Sequence, residues 1–129
     1  MKKIKFTLLI CFLTSSNIFA QTSLSCNYRE YCDWNGEDYV NCDGYEDNSL
    51  FVVNEQETMM EHTTNNMKST YYLSNYEYDE EYDVHTYDVV SDVGNKYFYI
   101  FDYNSKEIRV VFERDGKTQL LTFTVKSIF

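Results

Sequence analysis

The chain contains no proline, only four glycines and few basic residues, with 11 lysines and arginines against 21 aspartates and glutamates. The shortage of positive charge argues against nucleic-acid binding, because lysine or arginine is needed to displace counterions from phosphates. The absence of proline removes one common protection of edge strands, so charge is expected to protect them instead. After residue 20, no apolar run approaches the roughly 20 residues of a membrane-spanning helix, so no membrane span is predicted there.

Side chains that carry chemistry are also scarce. The only histidines are His62 and His85, both in predicted strands, and no serine stands in a G-x-S-x-G elbow. Two histidines on neighbouring strands could bind a metal or serve a triad, but strand histidines that bond to neighbours are the plainer interpretation. We therefore predict no catalytic residue, no cofactor and no metal site.

Acidic residues are concentrated in two clusters, at 33–47 and 77–83. Calcium prefers such oxygen-rich loops. The first cluster places suitable side chains at positions one, three and five of an EF-hand loop beginning at Asp33, but Asp38 occupies the sixth position, where that loop needs glycine. Both clusters are therefore interpreted as solvated loops.

Residues 1–20 have the order of a secretory signal peptide. Lysines at 2, 3 and 5 precede an apolar run over 6–13, and the segment ends on the small residue Ala20. A membrane anchor and a buried strand are the alternatives. Cleavage after Ala20 would leave eight basic and 21 acidic residues, a net charge of −13. The prediction is export to the periplasm or the extracellular space.

The predicted mature chain holds three cysteines, Cys26, Cys32 and Cys42. Exported compartments permit disulfides, and an odd number leaves one thiol unpaired. Either Cys32–Cys42 or Cys26–Cys42 would close a short loop, worth about 3 kcal/mol in the chain-entropy model. The sequence does not choose between them. Their spacing does not match a zinc knuckle.

From residue 49 onward, apolar and aromatic runs alternate with six turn signals, of which Asp115-Gly116 is the strongest. This rhythm predicts an all-β, antiparallel up-and-down meander over 49–129, closed or partly open as a small barrel, with an open sheet or sandwich as the alternative. Residues 21–48 show no sustained period and are expected to form an irregular, acidic cap pinned by a disulfide. The seven predicted strands are 49–53, 57–63, 67–77, 83–91, 96–103, 106–114 and 117–126.

The strand and turn rhythm of residues 49–129 resembles that of small exported lipocalin-like meanders. The likeness is one of architecture. The glycine-x-tryptophan signature of true lipocalins is absent, because Trp34 precedes Gly36 rather than following a glycine. No ligand-binding residue is carried over from that family.

Tyrosine is unusually abundant, with thirteen residues. Tyrosine favours strands, but it is also enriched in interfaces, and we predict binding roles for Tyr76, Tyr78, Tyr82 and Tyr97. The predicted function is a non-catalytic binding module for an unknown protein or a small apolar ligand. The alternative is an acidic inhibitor or immunity-type protein that neutralises a basic enzyme. A continuous apolar lumen would favour a small ligand, and a filled interior would favour a protein partner.

Overall fold

The computed structural model describes residues 21–129, so the predicted signal peptide, residues 1–20, lies outside the described residues. Each strand pairs antiparallel with the next, and the last pairs with the first, so that the sheet closes into an up-and-down barrel. The all-β meander and its closure are thus confirmed. The strands are β1 (Thr22–Trp34), β2 (Tyr39–Val53), β3 (Met59–Thr63), β4 (Lys68–Asp79), β5 (Val84–Ser91), β6 (Lys96–Asp102), β7 (Glu107–Arg114) and β8 (Lys117–Ile128).

The later strands match the predicted ones closely. From β3 onward, both ends of every strand lie within two residues of the prediction. Asp115 and Gly116 both have positive φ, 53° and 75°, as a type I′ turn requires, and they join β7 to β8. Over the part of the chain that the structure describes, no helix has the length and apolar character needed to cross a membrane.

Residues 21–48 correct the expectation of an irregular cap. They form β1 and the first part of β2, so the barrel has eight strands rather than seven. The predicted strand 49–53 is only the end of β2. The pairing of β1 with β2 shifts register between Cys26 and Tyr28 and again between Tyr31 and Asp33. Such bulges interrupt the two-residue period, which is why the sequence shows no strand pattern there.

The first bulge decides which side chains of β1 enter the barrel. Before it, the buried residues Leu24 and Cys26 face inward. After it, Arg29 and Tyr31 face inward, because a one-residue slip exchanges the two faces of a strand. Without the bulge, Arg29 would point outward.

The middle of the barrel is filled with side chains. The alternation of each strand brings large apolar groups to the centre, where they are almost completely buried. The interior is therefore not a continuous apolar lumen. The largest of these buried residues are Phe51, Phe101, Phe123, Leu24, Met60 and Ile108.

The two ends of the barrel differ in how completely they close. We call the end with the β1–β2, β3–β4, β5–β6 and β7–β8 turns the upper mouth, and the opposite end the lower mouth. β3 pairs only with residues 50–53 of β2, so residues 39–49 of β2 pair with β1 alone. A gap consequently opens at the upper mouth between this overhanging part of β2 and the β3–β4 turn.

A disulfide joins Cys32 of β1 to Cys42 in the overhanging part of β2. Cys26 is the free thiol of the described residues and is buried in the core. Burial raises the pKa of Cys26 to about 12, against the lowering effect of the Arg29 charge. The thiol is therefore protonated at neutral pH and poorly nucleophilic.

Removing the disulfide should loosen the fold. Replacing Cys32 and Cys42 together by serine is expected to lower the free energy of unfolding by about 3 kcal/mol, because the unfolded chain regains the entropy of an open loop. Urea unfolding measures the change. Dithiothreitol should lower the stability of the wild-type protein similarly and leave the double variant unchanged. A double variant as stable as the wild type would show that the strand ladders alone hold the hairpin.

Candidate functional site

A cavity of about 330 Å³ occupies the gap at the upper mouth. A deeper pocket of about 160 Å³ shares three of its lining residues, Arg29, His62 and Tyr71. We call the two together the mouth site. Thr64, Met67 and Ser69 of the β3–β4 hairpin complete the lining of the outer cavity, with Tyr45 and Asp47 of β2.

Arg29 stands at the junction of the two cavities. Its guanidinium lies over the ring of Phe123, with 4.8 Å from the guanidinium carbon to the ring centroid. Nη2 forms an ion pair with Asp47, and Nη1 donates a hydrogen bond of 3.2 Å to the hydroxyl of Tyr31. The buried Nε has no hydrogen-bond partner within residues 21–129. The guanidinium therefore keeps one N–H on each Nη atom beyond these contacts, and a buried Nε–H that nothing in the described chain satisfies.

His62 is held by aromatic contacts. Its ring stacks on Phe51 at a centroid distance of 4.0 Å and meets the ring of Phe123 edge-to-face at a centroid distance of 5.3 Å. The residue is only 8% exposed. Burial and, to a smaller extent, the Arg29 charge lower the pKa of His62 to about 4, against the raising effect of the Asp47 carboxylate. The imidazole is therefore neutral at physiological pH.

The Nε2 atom of His62 is also buried without a hydrogen-bond partner in the described part of the chain. Buried polar atoms nearly always have a partner, since leaving one unpaired costs roughly 1–3 kcal/mol. The mouth site thus combines two such atoms, one on Arg29 that can only donate and one on a neutral imidazole. Both side chains line the mouth site, so its wall holds two unsatisfied polar groups.

Three tyrosines form one wall of the deeper pocket. The ring of Tyr71 meets Tyr97 at 5.9 Å in an edge-to-face contact and Tyr99 at 6.1 Å. Burial raises the pKa of Tyr71 and, more strongly, that of Tyr99. Their hydroxyls remain protonated at neutral pH, so the wall is uncharged and able to donate hydrogen bonds.

The four predicted binding tyrosines do not form one surface. Tyr97 lines the mouth site. Tyr76 and Tyr78 lie in the last turn-proximal residues of β4, at the lower mouth. Tyr82 lies in the β4–β5 turn, with 66% of its surface exposed. The structure therefore divides these residues between opposite ends of the barrel.

An aromatic cluster at the lower mouth consists of Tyr76, Tyr78, His85 and Tyr103, and most of its polar groups hydrogen-bond within the protein. The hydroxyl of Tyr76 lies 2.6 Å from Nδ1 of His85, and Tyr78 donates a hydrogen bond of 2.6 Å to Asp83. The ring of Tyr103 packs against His85 at 5.2 Å. With its own side chains occupying it, this cluster is a weaker candidate for binding than the mouth site.

The two histidines are not brought together. His62 pairs with Ser69 beside the β3–β4 turn of the upper mouth. His85 pairs with Tyr78 beside the β4–β5 turn of the lower mouth. A metal or catalytic site shared between them is therefore not formed.

The first acidic cluster is also not arranged as a calcium loop. Asp33 lies in β1, and the side chain of Asn35 accepts hydrogen bonds from the backbone of Glu37 and Asp38 in the β1–β2 turn. Among residues 21–129, the one group of three metal-ligand atoms within 4.8 Å comprises Glu30, Cys32 and Cys42. Its two sulfurs are bonded to each other, so it offers a single carboxylate.

Most of the mouth site was not predicted from the sequence. Arg29 and Asp47 lie in the segment without a strand period, and only the bulge turns Arg29 inward. The pairing of Phe51 with His62 was open to prediction, because two inward-facing positions in adjacent strands become neighbours.

Comparison of the chain with protein-family models, with curated proteins and with solved structures found no match in any of the three. A functional interpretation therefore depends on the geometry of the mouth site.

The buried neutral state of His62 predicts a pH-dependent stability. The folded protein holds the ring uncharged down to about pH 4, whereas the unfolded chain takes up a proton near pH 6.5. The contribution of the neutral His62 ring to the free energy of unfolding is therefore complete above pH 6.5 and is lost as the pH falls toward 4. The loss amounts to about 3 kcal/mol at most. Urea unfolding across this range should show a shallower pH dependence for His62→Gln than for the wild type.

The same substitution at His85 controls for the loss of a histidine. An NMR titration of the His62 ring in the folded protein gives a direct check. A midpoint at the ordinary value near 6.5 would contradict the neutral, desolvated ring.

Proposed function

We propose that this protein is a non-catalytic binding module that holds a small organic molecule in the mouth site. The observation that carries the proposal is the pair of unpartnered, buried polar atoms on Arg29 and His62, in side chains that line the same cavity. Ligand sites are typically concave and ring-lined, with a few convergent polar groups that fix orientation. The mouth site has each of these properties.

The shape of the barrel limits the size of the ligand. A cavity of about 330 Å³ is at the lower end of the roughly 300–1,000 Å³ of small-molecule sites. Phe51, Phe101 and Phe123 fill the barrel below it, which leaves no room for a long hydrocarbon chain along the axis. The proposed ligand is therefore compact and polar at one end, rather than wholly apolar.

The disulfide supports a place of action outside the cytoplasm. Structural disulfides persist in oxidising compartments and are rare where thiols are kept reduced. The Cys32–Cys42 bond fits the export suggested by the sequence of residues 1–20. We therefore propose a periplasmic or extracellular location.

Filling the cavity should abolish binding. Ser69 lines the outer cavity, and its neighbour Thr70 lies on the opposite face of β4. In an NMR screen of the purified protein with a chemically diverse library of small fragments, we expect hits that shift the amides of Arg29, His62 and Tyr71. Ser69→Trp should weaken these hits at least about tenfold, or about 1.4 kcal/mol, because indole occupies the space.

Thr70→Trp is the matched control and should leave the affinities unchanged. A screen in which no fragment reaches the mouth residues, or in which Ser69→Trp binds as well as the wild type, would remove the proposal.

A second candidate function, capture of a basic protein, is favoured by the outer face near the lower mouth. A shallow concavity of about 750 Å³ there combines acids with the rings of Tyr78 and Phe98. Opposite charge speeds the encounter of proteins, and aromatic residues supply contact area. The acids that line this concavity are Glu77, Asp79, Glu80 and Glu81.

The second candidate is tested by association kinetics with a panel of basic hydrolases. An inhibitor of this type should associate at least about tenfold more slowly when salt screens its charges. Replacing Glu80 and Glu81 by glutamine should also slow association. Replacing Glu37 and Asp38 of the β1–β2 turn by their amides removes the same charge elsewhere and should have less effect. No measurable binding to any member of the panel would exclude this function for those enzymes.

A further inference from the structure

We infer that the overhanging part of β2 is a docking edge, to which another protein adds an extended, basic segment as an extra strand. Within residues 21–129 this part of β2, residues 39–49, pairs with β1 on one side and has no strand against its other side. The inference goes beyond the proposed function, because it concerns the backbone of β2 rather than a ligand in the mouth site.

The free side of the overhanging part offers unpaired backbone groups. In an antiparallel sheet, alternate residues of a strand direct their N–H and C=O groups to opposite sides. β1 takes up the groups on one side, and those on the other side have no strand beside them. The turn and cap hydrogen bonds of the described chain do not reach them either, since none involves the backbone of residues 39–49. A row of this kind is a template for strand addition.

The shortness of β3 leaves room for the added strand. β3 ends at Thr63, and residues 64–67 turn the chain back into β4, whereas β2 extends to Tyr39. A longer β3 would run through the gap above this turn. A strand added there, opposite residues 42–47, would complete the wall of the barrel. It would end short of Asn41, whose φ of +54° distorts β2.

The charges of the overhanging part favour a basic partner. Between residues 35 and 49 the sequence has no lysine or arginine, and its acids are Glu37, Asp38, Asp43, Glu46 and Asp47. Glu46 is exposed and forms no ion pair with another described residue. Opposite charges that face each other across two strands stabilise the pair, and like charges destabilise it. A second copy of this chain would bring the same acids to the edge, so a basic segment of a different protein fits better.

The two faces of the overhanging part set the pattern of the added segment. Tyr45 and Asp47 line the mouth site, so their side chains face inward, and Glu46 between them faces outward. The outward side chains of an added strand would lie beside Glu46. Its inward side chains would lie between Tyr45 and Met67, which are 48% and 66% exposed. The segment that fits therefore alternates basic with apolar residues.

Three synthetic peptides of about eight residues, long enough to span residues 42–47, test strand addition to the purified protein. The first alternates lysine with valine, and the second replaces each lysine by glutamate. The third is the first with two adjacent central residues N-methylated, which keeps the charge and removes N–H donors from both edges of the peptide. In NMR titrations the first peptide should bind at least about tenfold more tightly than either of the others. It should shift the amides of residues 42–47 and slow the hydrogen exchange of alternate ones.

Glu46→Gln tests the match of charge. It should weaken binding of the first peptide about two- to fivefold, which is the effect of one exposed ion pair. Glu113→Gln is the matched control, because it removes an exposed acid from β7, outside the overhanging part, and should leave the affinity unchanged. The comparison of the three peptides on the wild-type protein does not depend on either variant folding.

Several results would overturn the inference. Equal affinity for the N-methylated peptide would reduce the contact to charge alone, and equal affinity for the acidic peptide would remove the preference for a basic partner. Shifts confined to the acidic concavity around Glu80 and Glu81, or no binding of the first peptide, would also overturn it. So would dimerisation of the protein that protects residues 42–47 from exchange, since the edge would then hold a second copy. None of these results bears on the small-molecule site.

Discussion

Closure of β8 onto β1 is the constraint on which the rest of the structure depends. Eight strands that share one small interior can place only a limited volume of side chains at its centre, and phenylalanines fill that volume. Polar groups that face inward are consequently found toward the mouths. The upper mouth is the more open one, because β2 extends well beyond its pairing with β3. The cavity follows from this mismatch of strand lengths, whereas the arginine beside it is turned inward by the bulge in β1.

Bulges determine the chemistry of both mouths. In β1 the register shift after Cys26 turns Arg29 inward, and in β4 a shift between Ser74 and Glu77 includes Asn75, whose φ is +51°. Each slip exchanges the faces of the strand beyond it. Side chains that a regular strand would expose to solvent are thereby packed against the rings of the interior.

The sequence predicts the regular part of this fold and misses the irregular part for one physical reason. Between residues 57 and 129, burial on one face imposes a two-residue period, and turns such as Asp115-Gly116 mark its ends. In β1 the bulges break that period, so the sequence pattern does not reveal the strand. The mouth site depends on the same region. Tyr97 was predicted from tyrosine content alone, whereas Arg29 and Asp47 become a site only through pairing across a bulged hairpin.

The overhanging part of β2 has a consequence for how copies of this protein meet. Over residues 39–49 one side of the strand carries backbone groups that no neighbouring strand of the described chain pairs, and such groups can template fibril growth or the addition of another chain. The segment has no proline to block such pairing, but it carries the charged residues Asp43, Glu46 and Asp47. Asn41, at a φ of +54°, also distorts its backbone. Two copies that approach through this strand bring like charges together. The acidity of the chain thus contributes to colloidal stability as well as to any recognition of partners.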